Sequence, residues 1–207
     1  MQRNRVLAFV RPRNLLVGSL GADDSQDTST RSMALRTIVQ YPDPVLNTRA
    51  EEVLSIDGHI HQLVADMVET MHAAPGVGLA ANQVGVTRRV AIVDLSVGKH
   101  RSALVVLINP QRLSTEGNQI DEEGCLSLPG ITELVPRPLR VEVQALNLEG
   151  EIVRVHGEGL MARALLHEID HLEGVLFLDR LSPLKRRLIR KRINKLIQAG
   201  EWARVGT

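Results

Sequence analysis

The sequence predicts an α+β domain. Three observations carry that reading: an amphipathic helical pattern early in the chain, apolar runs and an alternating hairpin in its middle, and two helical stretches near its end. With 207 residues, 43% of them hydrophobic, the chain is long enough for one domain with a full core, since single domains commonly run about 100 to 200 residues.

The elements follow in order. "HIHQLVADMVETMHAAPG" places Ile60, Leu63, Val64, Met67, Val68 and Met71 at alternating steps of three and one, the spacing of a helix with one apolar face, ended by Pro75 and Gly76. Its methionines belong to the core. "RVAIVDL" and "ALVVLINP" read as buried strands. "RVEVQAL" and "EIVRVHG" alternate about an Asn147 to Gly150 turn as a hairpin, with His156 ending a strand. "LSPLKRRLIRKRINKLIQAG" opens with Ser182 as cap and Pro183 in the first turn, and Gly200 stops it, giving a helix over 182–199. Leu184, Leu188, Ile189, Ile193, Leu196 and Ile197 form its apolar flank; Lys185, Arg186, Arg190, Arg192 and Lys195 are exposed candidates.

A net charge of +1 hides an uneven distribution. Seven basic residues and no acidic ones lie between Leu181 and Gly200, leaving 18 basic against 24 acidic residues elsewhere, a balance of −6. The basic helix is either a solvated face docked on the body or a handle for anionic nucleic acid. Residues 1–32 carry Arg3, Arg5, Arg11 and Arg13 and then the polar stretch "GADDSQDTSTRS", of disordered character. Arginines break its apolar runs, which argues against a secretory signal, and Asp23, Asp24 and Asp27 argue against a transit peptide. Nowhere do about 18 apolar residues run together for a membrane span. A cytoplasmic location fits, and a single cysteine fits a reducing compartment. Residues 1–32 therefore read as a disordered extension, an upstream start or a dispensable segment, and residues 33–207 as one domain.

The chemistry concentrates in "ALLHEIDHLEG". On a helix of about 3.6 residues per turn His167 and His171 stack on one face and can share one ion. Glu168, directly after the first, is better placed to reach a water on that ion than to coordinate it. Leu160 and Ala164 share the histidines' face, and Gly174 stands where a left-handed turn can end the helix. A catalytic site needs a third protein ligand. The longer metalloprotease pattern would place a histidine at position 177, which is Phe177, and no glutamate lies between Glu173 and Glu201. The remaining soft ligand is Cys125, the one cysteine, in "DEEGCLSLPG". Alone it would be an inert buried thiol. Gly124, Ser127, Pro129 and Gly130 instead predict a tight, irregular backbone able to present a thiolate and free N–H groups. A third segment, "GVGLAANQVG", holds three glycines in ten residues, as a loop lining a cleft would, with Asn82 and Gln83 as amide donors. It lacks the spacing of a nucleotide-binding loop.

"GVGLAANQ", "EGCLS" and "HEIDH", in this order, resemble the three motifs of the peptide deformylase family, and the likeness runs from "IVQYPDPVL" at Ile38 to the basic helix after Ser182. The resemblance implies an α+β fold with antiparallel sheets enclosing the H-E-x-x-H helix and a C-terminal helix. It implies a hydrolase that releases formate from the N-terminal formyl-methionine of new proteins. Cys125, His167 and His171 would be metal ligands, Glu168 the general acid and base, and Gln83 and the N–H of Leu126 the oxyanion hole. Val77 and Gly78 match substrate-contacting positions, and Leu160 and Ala164 suit the walls of the methionine pocket. The metal would be Fe(II), with Zn(II), Ni(II) or Co(II) able to substitute, and the partners formyl-methionyl nascent chains and the ribosome's RNA through the basic helix. Asn82, Leu166, Thr132 and Arg163 depart from the family's frequent residues; Thr132 lies near the cleft mouth and Arg163 on a pocket wall. Two rivals share parts of the pattern. A zinc endopeptidase would leave Cys125 and the Gly76 loop without roles, and a structural zinc in a nucleic-acid-binding protein would call for a fourth ligand.

Overall fold

A computed structural model describes residues 34–202. The expected extension over 1–32 lies outside the described residues. Helix α1 spans Gly58–Ala73. Strands β1 (Gly78–Ala80), β2 (Val90–Val93), β3 (Val105–Glu116), β4 (Gln119–Gly124), β5 (Thr132–Arg137), β6 (Arg140–Leu146) and β7 (Ile152–Glu158) follow. Helix α2 is Leu160–Leu172 and α3 is Pro183–Gln198. One antiparallel sheet has the order β1-β2-β3-β6-β7, and β4 and β5 pair apart as a two-stranded ribbon.

The large sheet is covered on both faces at its β1–β2 end, which explains why "VAIV" reads as one apolar run rather than an alternation. Ala91 and Val93 turn toward α2, where they meet Leu107, Val143, Ala162, Leu165 and Leu172. Val90 and Ile92 turn the other way, toward Leu63, Val64, Met67 and Met71 of α1. The helix with the two histidines is thus pressed onto one sheet face and α1 onto the other. Asp57 caps α1 by accepting from the N–H groups of His59 and Ile60. Gly174 ends α2 with φ of 72°, and a Cβ there would lie 2.7 Å from the Asn47 carbonyl oxygen, so only glycine fits.

Three expectations need correction. First, β3 runs beyond the apolar "ALVVLINP": the polar residues after Pro110 stay extended because they pair with β6, past register shifts that begin after Ile108. Second, β4 and β5 form where the sequence reading placed no strand, because their inward positions mix Val135 with the charged Glu123 and Arg137. Third, the apolar flank of α3 is narrower than its sequence suggests. Ile189 and Ile193 are buried against Leu46, Phe177 and Trp202, whereas Leu184 and Leu188 are more than half exposed. Ser182 caps this helix through Lys185 N–H, as expected. Among the described residues no helix is long and apolar enough to cross a membrane.

Candidate active site

Helical spacing brings His167 and His171 together with their Nε2 atoms 3.2 Å apart. Cys125 leaves the end of β4 where the chain turns, and its Sγ lies 3.2 Å from His171 Nε2. Thus one sulfur and two imidazole nitrogens lie within 4.8 Å of one another, beside a cleft of about 840 Å³. That set fits a divalent metal: soft sulfur with borderline nitrogens, three protein donors, and room left for water.

The sequence did not reveal what holds His167 in place. Its Nδ1 lies 2.7 Å from Glu123 Oε1, so that nitrogen donates and Nε2 keeps its lone pair free to face the cysteine side. Glu123 is gripped in turn by Arg137, at 2.6 and 3.0 Å, and by Arg163, at 2.8 Å. Arg137 also reaches Asp170 at 2.6 Å, and Asp170 takes Arg180. Glu123, Arg137, Asp170 and Arg163 are all less than a tenth exposed. Burial alone would raise the Glu123 carboxyl, but the bonds from His167 and Arg137 hold it well below the usual carboxylate range. Glu123 stands in "DEEGC", beside the cysteine, and Asp170 inside "HEIDH", so both were in view; their pairing with Arg137, Arg163 and Arg180 was not. His171 differs, since its Nδ1 is buried with no partner.

Glu168 follows His167 and packs against Gly78, where an added Cβ would lie 2.9 Å from its carboxyl carbon. Its Oε2 is buried without a partner, and burial pushes the carboxyl up to about 7. A divalent cation beside it would act in the opposite direction. Gln83 is oriented by its own backbone: its Oε1 accepts from Ala80 N–H at 2.8 Å, which fixes Nε2 toward Cys125 Sγ at 3.5 Å and Ser127 Oγ at 3.3 Å. Among the described residues the N–H of Leu126, next to the cysteine, donates no hydrogen bond. Val77, Gly78, Leu160 and Ala164 all line the cleft. Asn82 does not join them. It is fully buried and donates instead to the Thr48 carbonyl at 2.7 Å, bracing the turn over Pro44–Asn47. Arg163 does line the cleft, yet its guanidinium is tied back to Glu123 and the Val135 carbonyl.

Comparison with known proteins agrees with this geometry. The family model described as polypeptide deformylase matches residues 35–187. A peptide deformylase of Acidobacterium capsulatum is 51% identical over 170 residues, covering 82% of this chain and all of that protein. The crystal structure of a peptide deformylase from Legionella pneumophila superposes with a TM-score of 0.75 at 42% identity, covering 81% of this chain and 98% of that one. A peptide deformylase of Ehrlichia chaffeensis, solved in complex with actinonin, gives 0.72 at 39%, covering 79% and 98%. Matched over most of its length in both sequence and fold, and across all three motif segments, the chain belongs to the peptide deformylase family, metal-dependent hydrolases that remove the formyl group from N-terminal formyl-methionine.

Proposed function

We propose that Cys125, His167 and His171 hold the metal of this hydrolase, that the metal is Fe(II), with Zn(II), Ni(II) or Co(II) able to replace it, and that Glu168 moves the proton. The observation that supports this most is the convergence of one Sγ and two Nε2 atoms beside a buried, partnerless carboxylate. When bound, the metal supplies a Lewis acid and lowers the pKa of a coordinated water. Glu168 then accepts the proton released as water adds to the formyl carbon, and its burial suits a group that must exchange protons near neutrality. Negative charge develops on the formyl oxygen. Gln83 Nε2, held in one orientation by Ala80, and the free N–H of Leu126 are the donors for it. Glu168 returns the proton to the peptide nitrogen as the formyl C–N bond breaks, leaving formate and a free N-terminal methionine. Val77 and Gly78 contact the substrate backbone, and Leu160 and Ala164 wall the methionine side chain.

The test is formate release from a short formyl-methionyl peptide by anaerobically purified, Fe(II)- or Ni(II)-loaded protein. Glu168→Ala should lose about 10²- to 10⁴-fold of the rate while keeping its metal. No turnover with a filled site would sink the reading.

The same reading places the protein in the cytoplasm, with residues 33–207 as the catalytic unit and 1–32 as a dispensable extension. It takes α3 as a contact for ribosomal RNA. Lys185 is paired with Glu133, and Arg186 and Arg190 with Asp179. Arg187, Lys191, Arg192 and Lys195 are exposed and have no ion pair among the described residues, so they are the free cations of this helix. Changing these four to glutamine should abolish salt-sensitive co-sedimentation with ribosomes; undiminished binding would count against the contact.

A further inference from the structure

Among the described residues, two that line the cleft carry a buried side-chain atom with no hydrogen-bond partner: Glu168 through Oε2 and Arg163 through Nη2. The first belongs to the proton transfer. The second has no part in it. Arg163 is 3% exposed, and its other terminal nitrogen, Nη1, is spent on Glu123 Oε2 at 2.8 Å and the Val135 carbonyl at 3.1 Å. Those two bonds hold the guanidinium still, because Glu123 is itself gripped by Arg137 and His167. A guanidinium keeps its charge at any working pH and accepts no hydrogen bond, so Nη2 is a permanent donor that burial has stripped of water. Buried donors of this kind are rare in folded proteins, and each calls for an acceptor.

Resting on the deformylase reading above, we propose that Arg163 Nη2 takes a substrate oxygen, and that this chain deformylates peptides beginning with formyl-methionine sulfoxide as well as formyl-methionine. Arg163 lies one turn before His167 on α2, about 6 Å along the helix axis, with Leu160 and Ala164 on the same cleft wall. A side chain that starts beside His167 and runs along this wall ends at Arg163. Methionine brings only a thioether there, which is a weak acceptor; its sulfoxide presents a strong one on the same sulfur. A purely apolar pocket rejects that oxygen, since it would be buried unpaired. Here a fixed, charged donor meets it. The reaction is unchanged: water adds to the formyl carbon, formate leaves, and the sulfoxide departs with the peptide without being reduced. Because the sulfoxide sulfur is chiral and the donor is fixed, one of its two epimers fits better than the other.

The experiment compares kcat/KM for formyl-methionyl, formyl-norleucyl and the two separated formyl-methionine sulfoxide forms of one alanine peptide, using the Ni(II)-loaded full chain. In the unaltered protein the better sulfoxide epimer should react within about 30-fold of the methionine peptide, the loss left after a charged hydrogen bond offsets most of the burial cost. Arg163→Lys keeps a cation for Glu123 but has no second terminal nitrogen. It should lower the sulfoxide-to-methionine ratio by about 10- to 100-fold and bring the two epimers together, while the norleucine-to-methionine ratio stays within about twofold. Arg163→Met should do the same. Ratios taken within one variant cancel any loss that a disturbed Glu123 imposes on all the peptides alike. A better epimer slower than methionine by more than about 30-fold in the unaltered protein, or a sulfoxide ratio that survives both substitutions, would overturn the assignment. Failure to turn over the methionine peptide would instead overturn the deformylase reading itself.

Discussion

Gly78→Ala should separate the placement of Glu168 from every other part of the site. Gly78 is buried in β1 at the cleft wall, paired with Val93, and the Glu168 side chain occupies the space a side chain there would need. A Cβ would lie 2.9 Å from the Glu168 carboxyl carbon and 3.1 Å from its Cγ, whereas ordinary contact begins near 3.4 Å. The carboxyl group must therefore retreat by at least about 0.5 Å, and further at its nearer oxygen. Misplacing a reacting group by about 1 Å costs on the order of 10²-fold in rate. Overpacking of this kind costs about 1 to 3 kcal/mol, several degrees in Tm for a chain this long. Steady-state kinetics on a formyl-methionyl peptide, with metal content and Tm measured alongside, should show kcat down about 100-fold, KM within about twofold, and metal retained. A raised KM at unchanged kcat would mean that Gly78 serves only the substrate's backbone, and the argument from Glu168 would fall.

Two other perturbations probe the surroundings. Glu123→Ala removes the carboxylate shared by His167, Arg137 and Arg163, leaving buried cations short of a partner. It should destabilise by about 3 to 5 kcal/mol and loosen metal retention by about 10- to 100-fold, read by chemical unfolding and competition with a chelator; unaltered retention would leave Glu123 with a purely structural part. Asp94 provides the pH prediction. Burial would raise its carboxyl, but bonds from the Ser96 hydroxyl, the N–H groups of Gly98 and Ser96, and His72 hold it down at about 2, below the usual 3.8. A folded-state value below the unfolded one stabilises fully above pH 4 and is lost as pH falls through the folded value. Between about pH 4 and pH 2 this group should therefore withdraw about 2 kcal/mol. Asp94→Asn should lower stability at neutral pH and flatten that share of the acid transition; an unchanged transition would refute the assignment.

What could be read from the sequence divides along physical lines. The histidine helix was legible because both its histidines and its packing face obey one local period, and Gly174 marked its end. Cys125 was legible by elimination and by the turn residues around it. Gln83 stood out as an amide in a glycine-rich loop, but its orientation depends on the Ala80 N–H and could not be read. Asn82, its neighbour, looked equivalent and is not, because only the distant Thr48 carbonyl decides where it turns. The arginine network was hidden for the same reason: Arg137 and Arg180 look like surface residues, and Arg163 like part of the pocket wall, until β5 and α2 are brought together.

The pair Glu122 and Glu123 shows most directly how a fold assigns chemistry. The two have identical side chains and adjacent positions, so no composition or motif distinguishes them. Pairing β4 with β5 in one register sends Glu123 to Arg137 and Arg163 and leaves Glu122 with a threonine. A slip of one residue would exchange them, placing Glu122 among the arginines and Glu123 at the cleft, so that His167 would lose its carboxylate partner. The arginines that neutralise Glu123 therefore also fix the register that leaves Glu122 charged at the cleft mouth. Bracing His167 and leaving a carboxylate at the cleft mouth are two consequences of one strand alignment. Thr132→Arg should therefore neutralise Glu122 and leave the metal bound, because Glu123 keeps its own arginines; loss of metal in this variant would refute the separation of the two carboxylates.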